Sequence, residues 1–166
     1  MQVLKIARDL DLSQWMIGAG FVRNKIWSYL SGDVKEGVDT FDVDLVYFDK
    51  NRKDEKEDEE LSKQLKIKTG INYEIVNEIC AHAWNDLPPY LSTKDAISKW
   101  PETVTAIGIF LDKNNKLQLF APHGIDDLIN FIVRPTPAFV DEIEKIKVRV
   151  EKKGWIKKWP KIQIVN

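Results

Sequence analysis

The chain has a single cysteine, Cys80, and two histidines, His82 and His123. One thiol excludes an internal disulfide. Cys80 and His82 leave only His123 as a third donor of the usual zinc type, which speaks against a zinc centre. Long apolar runs are missing too: nothing approaches the roughly twenty residues that a membrane-spanning helix needs. The start has no apolar segment of the signal-peptide kind, so a cytoplasmic protein with no membrane partner is expected. Neither sign of charge is in excess. Lys and Arg number 25 against 26 Asp and Glu, so net charge names no partner. Glycine/serine linkers and internal repeats are absent. At 166 residues the chain is expected to form one domain over 1–166, with a core at 12–82 and a C-terminal hairpin and helices at 92–166.

What the chain does carry is hydrophobic periodicity that changes type along its length. Val3, Ile6, Ala7 and Leu10 have helical spacing, and Asp11 to Ser13 break that helix. A short apolar strand from Trp15 runs into Gly18-Ala19-Gly20. Val22, Ile26, Tyr29 and Leu30 then share one helical face, with Gly32 as the stop. The charge run Lys50 to Glu60 reads as the solvated start of a helix that ends near Lys68, with Leu61 and Leu65 inward and Gly70 as terminator. Asn72 to Cys80 alternates, with Tyr73, Ile75 and Ile79 on one face and Glu74, Val76 and Glu78 on the other. Pro88-Pro89 marks a loop, and Ser92 with Asp95 three residues on marks a helix start. Thr103 to Leu111 and Leu117 to Ala121 form a hairpin across Asp112 to Asn115. Ile125, Leu128, Ile129 and Ile132 predict a helix that stops before Arg134-Pro135. Pro137 opens a last helix, striped by Phe139, Ile143, Ile146 and Val150 and ended by Gly154. Strands interleaved with helices predict an α/β or α+β fold with a mixed sheet.

The stretch Met16 to Phe48 organises the rest. In Phe41-Asp42-Val43-Asp44-Leu45-Val46-Tyr47-Phe48 the apolar Val43, Leu45 and Tyr47 point one way, while Asp42 and Asp44 point the other. Neighbouring carboxylates repel and raise each other's pKa unless a cation lies between them, so a divalent metal is the natural partner. Upstream, the small Gly18-Ala19-Gly20 turn at a helix start offers backbone N–H groups and the helix dipole to an anion. Arg23 and Lys25 stand in the first turn of that helix, where a cation is locally unfavourable; a bound triphosphate would account for them.

Strand, glycine turn, helix and Asp-x-Asp strand together resemble the nucleotidyltransferase superfamily that includes DNA polymerase beta, poly(A) polymerases and CCA-adding enzymes. Gly20-Phe21-Val22-Arg23-Asn24 looks like its Gly-x-Val-Arg-Asp version, and Asp42-Val43-Asp44 is the acidic pair. The resemblance is closest to a bacterial nucleotidyltransferase-like family. That family shares Ala19 to Asn24, Trp100-Pro101-Glu102-Thr103, Ala121-Pro122-His123-Gly124 and Arg134-Pro135-Thr136-Pro137. Ala19 departs from the pattern, standing where many relatives have the first glycine of a pair.

The resemblance implies an enzyme that transfers a nucleoside monophosphate from an NTP to an acceptor hydroxyl and releases pyrophosphate. Asp42 and Asp44 would be catalytic and would hold Mg2+ or Mn2+. The superfamily uses a third acid on an adjacent strand; Glu74 fits it best and Glu78 is the fallback. Gly18, Ala19, Gly20, Arg23 and Asn24 would bind the nucleotide, and Asn77 would contact base or sugar. His82 has the near-neutral pKa of a general base but reads more simply as a hydrogen-bonded histidine. Trp100 to Thr103, Pro122 to Gly124 and Asp126-Asp127 read as architecture, with His123 a candidate to face the cleft. The lysine-rich C-terminus with Trp155 and Trp159 has the composition of a single-strand nucleic-acid surface, although a solvated lysine face over packed tryptophans is commoner. The alternatives are a non-catalytic nucleotide-binding or regulatory module, and an RNA-binding module built on that C-terminus. The long helical extension of polymer-adding relatives is missing, so a small-molecule or protein acceptor is expected ahead of RNA.

Overall fold

In the computed structural model residues 1–33, 42–52 and 54–166 are described. Helix α1 (Gln2–Asp9) leads to strand β1 (Met16–Gly18), helix α2 (Ala19–Leu30), strand β2 (Val43–Tyr47), helix α3 (Glu55–Thr69) and strand β3 (Tyr73–Asn77). A single turn α4 (Glu78–Ala81) and helix α5 (Thr93–Ser98) follow, then the hairpin β4 (Gly108–Leu111) and β5 (Leu117–Phe120). The chain closes through α6 (Asp126–Ile129), β6 (Ile132–Val133), α7 (Ile143–Lys152), α8 (Trp155–Lys158) and β7 (Gln163–Ile164). Phe41 and Lys53, which fall in the expected strand and charge run, lie outside the described residues.

Five strands form one mixed sheet in the order β3-β2-β1-β4-β5. Only β2 and β3 run parallel, the arrangement that a crossover through α3 permits; the other pairings are antiparallel. Alternation sorts the faces as the sequence predicts. Val43, Leu45, Tyr47, Tyr73 and Ile75 enter the main core with Ile17, Leu65 and Val3. The opposite face carries Asp44 and Glu74, then Val46 and Val76, which pack near Met16, Ile97 and Trp100. No helix among the described residues is long and apolar enough to cross a membrane.

Four local expectations need correction. The buried side of α2 is Phe21, Asn24, Trp27 and Ser28 with Val22 and Arg23, and Tyr29 and Leu30 are exposed. Its partner is the C-terminal segment: Trp27 lies 5.7 Å from Phe131 and 5.0 Å from Trp159, and its indole N–H donates to Leu128 at 2.8 Å. The strand expected over Asn72 to Cys80 ends at Asn77, whose side chain accepts from the Ile79 N–H and caps α4. Thr103 to Ile107 turn rather than extend, because Thr105 and Ala106 donate back to the Glu102 carbonyl. The Ile125-to-Ile132 stripe splits: only Leu128 of α6 is buried, and Ile132 joins β6 beside β7.

Candidate active site

Parallel pairing places Asp44 of β2 directly beside Glu74 of β3. Strands lie about 4.8 Å apart, so two side chains in register on one face are neighbours. The carboxyl of Asp44 is pushed up to about 6, first by burial and then by the charge of Glu74; the Gly20 N–H, Arg23 and Lys153 pull the other way. Asp44 accepts a hydrogen bond from Gly20 at 3.2 Å, which ties the acidic strand to the start of α2. Asp42 precedes β2, is exposed, and accepts from the Asn72 side chain. Among the described residues no three acidic, histidine or cysteine side chains converge as a ready metal cage. All three carboxylates nevertheless line one cavity of about 270 Å³. Asp42 uses one of its two oxygens to accept from Asn72.

The glycine turn is built differently from the phosphate cradle expected of it. A side chain at Gly18 would meet the Trp100 ring at 2.7 Å, so that glycine makes room for an indole. Ala19 has φ 45, a left-handed conformation that costs an L-residue roughly 1–2 kcal/mol. Its N–H donates to the Ile107 carbonyl at 3.2 Å. With the Gly20 N–H given to Asp44, the N–H groups of residues 19 and 20 are both engaged. The turn aims a carboxylate, and the cationic side chains lie beyond it.

Those side chains begin with Arg23, which is 5% exposed. Its guanidinium lies 3.8 Å from the centroid of Trp155 and 5.3 Å from that of Trp27. Nε and Nη2 both donate to Asn24 Oδ1, at 3.2 and 2.9 Å. Burial lowers its pKa to about 10, so it stays charged at neutral pH. Among the described residues its nearest carboxylates, Glu102 and Asp44, act on it through space rather than as ion-pair partners. It faces the same cavity as Asp42, Asp44 and Glu74, which Lys153 and Lys158 also line. Lys25 instead turns outward over the Phe21 ring.

A second cavity of about 390 Å³ opens on the other side of the carboxylates. It shares Asp44 and Glu74 with the first and adds Glu78, Trp84, Tyr90 and Trp100, with Arg149 at its edge. Arg149 and Lys153, one helical turn apart, went unseen as site residues because they belong to a lysine-rich stripe of ordinary solvated appearance. What singles out Arg149 is Glu102. This carboxylate is 0% exposed, lies 2.8 Å from Arg149 Nε, and accepts from Thr105 Oγ1 at 2.6 Å. The segments expected to be architecture do interlock: Thr103 N–H donates to the Arg134 carbonyl at 2.9 Å and Thr136 N–H to the Pro101 carbonyl at 3.0 Å. The interlock holds Glu102 beside Arg149.

The remaining candidates stand away from the carboxylates. Asn77 spends its amide on the Asp49 and Arg52 carbonyls and the Asp49 and Ile79 N–H groups, which fastens the loop after β2. His82 pairs Nδ1 with the Ile79 carbonyl at 3.1 Å, and His123 pairs Nε2 with the Ser98 carbonyl at 2.8 Å. Trp155 and Trp159 are buried, so they offer no open stacking platform.

This arrangement of sheet and helices has known counterparts. A family model described as nucleotidyltransferase matches residues 5–164. The chain belongs to this nucleotidyltransferase family. Over its whole length it is similar, at 36% identity and a TM-score of 0.89, to a solved structure described as revealing a CCA-adding enzyme head domain, and it covers 88% of that chain. A tRNA nucleotidyltransferase solved with a primer tRNA and an incoming ATP analog shares the fold at 18% identity and a TM-score of 0.53. A CCA-adding enzyme solved with ATP does so at 18% identity and a TM-score of 0.55. The nucleotidyltransferase chain described here spans 46% and 39% of those two enzymes. No curated protein matches it.

Proposed function

We propose that this nucleotidyltransferase, acting as one unit over 1–166, moves a nucleoside monophosphate from an NTP to an acceptor hydroxyl and releases pyrophosphate. The observation that carries the reading is the register pair Asp44–Glu74 facing the same cavity as a buried Arg23 that lacks an ion-pair partner among the described residues. Like charges crowded on one side and an unmatched cation on the other suit a ligand with metal and phosphates together.

Asp44, Glu74 and Asp42 would supply hard oxygen donors of the kind Mg2+ or Mn2+ takes, and the metal would supply neutralisation of phosphate charge. Gly18 admits Trp100, Ala19 turns the chain into α2, and Gly20 holds Asp44 in place. Arg23, set by Asn24, and Lys153 would bind the β- and γ-phosphates. Glu74 would take the acceptor proton. Positioning and charge matching would supply most of the rate, as in phosphoryl transfer generally. Asn77 is assigned to the scaffold. The RNA-binding alternative loses its stacking residues, since Trp155 and Trp159 are buried. The tie between Asn72 and Asp42 favours one second reading, a nucleotide-binding module without turnover. A cytoplasmic setting is part of the proposal, in keeping with the exposed free thiol of Cys80.

A thermal-shift series with each NTP, with and without Mg2+, tests the binding half. NTP and metal together are expected to raise the melting temperature more than the two separate shifts combined. Equal melting temperatures in all conditions would remove the nucleotide site.

A further inference from the structure

We infer that the larger cavity beside Asp44 and Glu74 is the acceptor site, and that it takes a small hydroxyl-bearing compound with a planar ring and an N–H donor. The inference rests on the nucleotidyl-transfer reading and goes beyond it by naming where the second substrate enters and what it looks like.

In nucleotidyl transfer the acceptor oxygen attacks the α-phosphorus as the bond to the α,β-bridging oxygen breaks. Pyrophosphate leaves with that electron pair, and the hydroxyl proton passes to a base, here the Glu74 carboxylate. Attacking and leaving oxygens lie roughly in line, so they need room on opposite sides of the reacting centre. The two cavities meet at Asp44 and Glu74 and extend away on either side. Arg23, Lys153 and Lys158 line the smaller one, which fixes it as the pyrophosphate side. The acceptor is left with the other.

Trp84, Tyr90, Trp100 and Pro101 wall the larger cavity, and flat aromatic and proline surfaces favour a planar ring between them. Its volume, about 390 Å³, suits a compact molecule. Glu78 lines it as well and is 3% exposed. It begins α4, four residues beyond Glu74, or roughly 13 Å at the rise of a strand, too far along to complete the acidic pair. The Trp100 indole N–H donates to its carboxyl, and burial pushes that carboxyl up to about 7. A carboxyl oxygen in either protonation state accepts from an N–H group, so a ring bearing one is held at Glu78 while its hydroxyl end points back toward Glu74.

Titration calorimetry on the intact chain tests this with adenosine and tyramine as probes, since each has a planar ring, a hydroxyl and an N–H group. α,β-Methylene ATP with Mg2+ reports on the phosphate side. Trp84 is 65% exposed, so Trp84→Ala should not disturb the fold. Glu78→Gln keeps a carbonyl acceptor, and Glu78→Leu removes it. At least one probe is expected to bind whether or not α,β-methylene ATP is present. Trp84→Ala and Glu78→Leu should each weaken it tenfold or more, and Glu78→Gln should keep most of the affinity. Lys153→Ala should weaken α,β-methylene ATP and leave the probe alone. Competition between probe and α,β-methylene ATP would make the cavity the base site of the nucleotide and overturn the inference. So would the absence of binding by both probes, or affinity unmoved by Trp84→Ala and Glu78→Leu. Failure of α,β-methylene ATP itself to bind with Mg2+ strikes the nucleotidyl-transfer reading first, and the inference falls with it.

Discussion

Asp44 is a carboxylate that the fold holds at a cost. Its pKa is raised from 3.8 to about 6, so the unfolded chain releases that proton more readily than the folded one. The stability this group allows is fully present below about pH 4 and is lost as pH rises through about 6. That difference corresponds to at most about 3 kcal/mol. Asp44→Asn in chelator is therefore expected to be more stable than the parent at pH 8 by about 1–3 kcal/mol, with the gain gone near pH 4. Chemical melts at the two pH values check it, and a variant less stable at pH 8 would mean the carboxylate is an ordinary paired one. Glu78 titrates with the same sign toward about 7, so the comparison must be Asp44→Asn against parent rather than the parent's own pH curve. Ala19 poses a simpler residue-scale question. Glycine at φ 45 carries no side-chain strain, so Ala19→Gly is expected to stabilise the chain by up to about 1 kcal/mol, after the looser unfolded state takes its share. A melting temperature that drops would show that the methyl group, which lines the larger cavity, packs usefully there.

At the scale of elements, α7 reaches the site through one buried ion pair. Glu102 is enclosed and Arg149 is half exposed, so the two halves of the pair are not equivalent. Arg149→Gln strands a buried carboxylate and is expected to cost about 3–5 kcal/mol. Glu102→Gln leaves a cation that water can reach and should cost less, about 1–2 kcal/mol. Adding Glu102→Gln to Arg149→Gln is expected to restore part of the loss. Equal single-variant costs that simply add would mean the pair is not coupled. How far these elements were legible in the sequence depends on where their partners lie. The alternation of Val43, Leu45 and Tyr47 against Asp44 is set by a two-residue period, and it reads straight into β2. The break at Asn77 was not readable, since Glu78 and Ile79 continue the alternation and only the cap on the Ile79 N–H ends it. The face of α2 was misread for a related reason: Trp27 is inside because Phe131, Trp155 and Trp159 come back to meet it.

For the whole molecule, that return is what completes the site. The N-terminal half supplies Asp44, Glu74 and Arg23, and the last stretch closes over them with Trp155 against the Arg23 guanidinium and Lys153 on the rim. Periodicity within one segment carries no information on contacts between residues more than a hundred positions apart. For that reason alternation alone places Asp44 and Glu74 on the polar faces of their strands, while the approach of Arg149 to Glu102 and of Lys153 to the cavity emerges only from the fold. In the proposed function the Asp44–Glu74 pair and Arg23 act together on one metal–nucleotide ligand. Titration of α,β-methylene ATP at pH 8 into the parent and into Asp44→Asn, each with Mg2+ and with chelator, tests this most directly. The parent is expected to bind at least tenfold more tightly with Mg2+ than without, and folded Asp44→Asn is expected to lose that difference. Equal affinity for both proteins, with or without Mg2+, would contradict it.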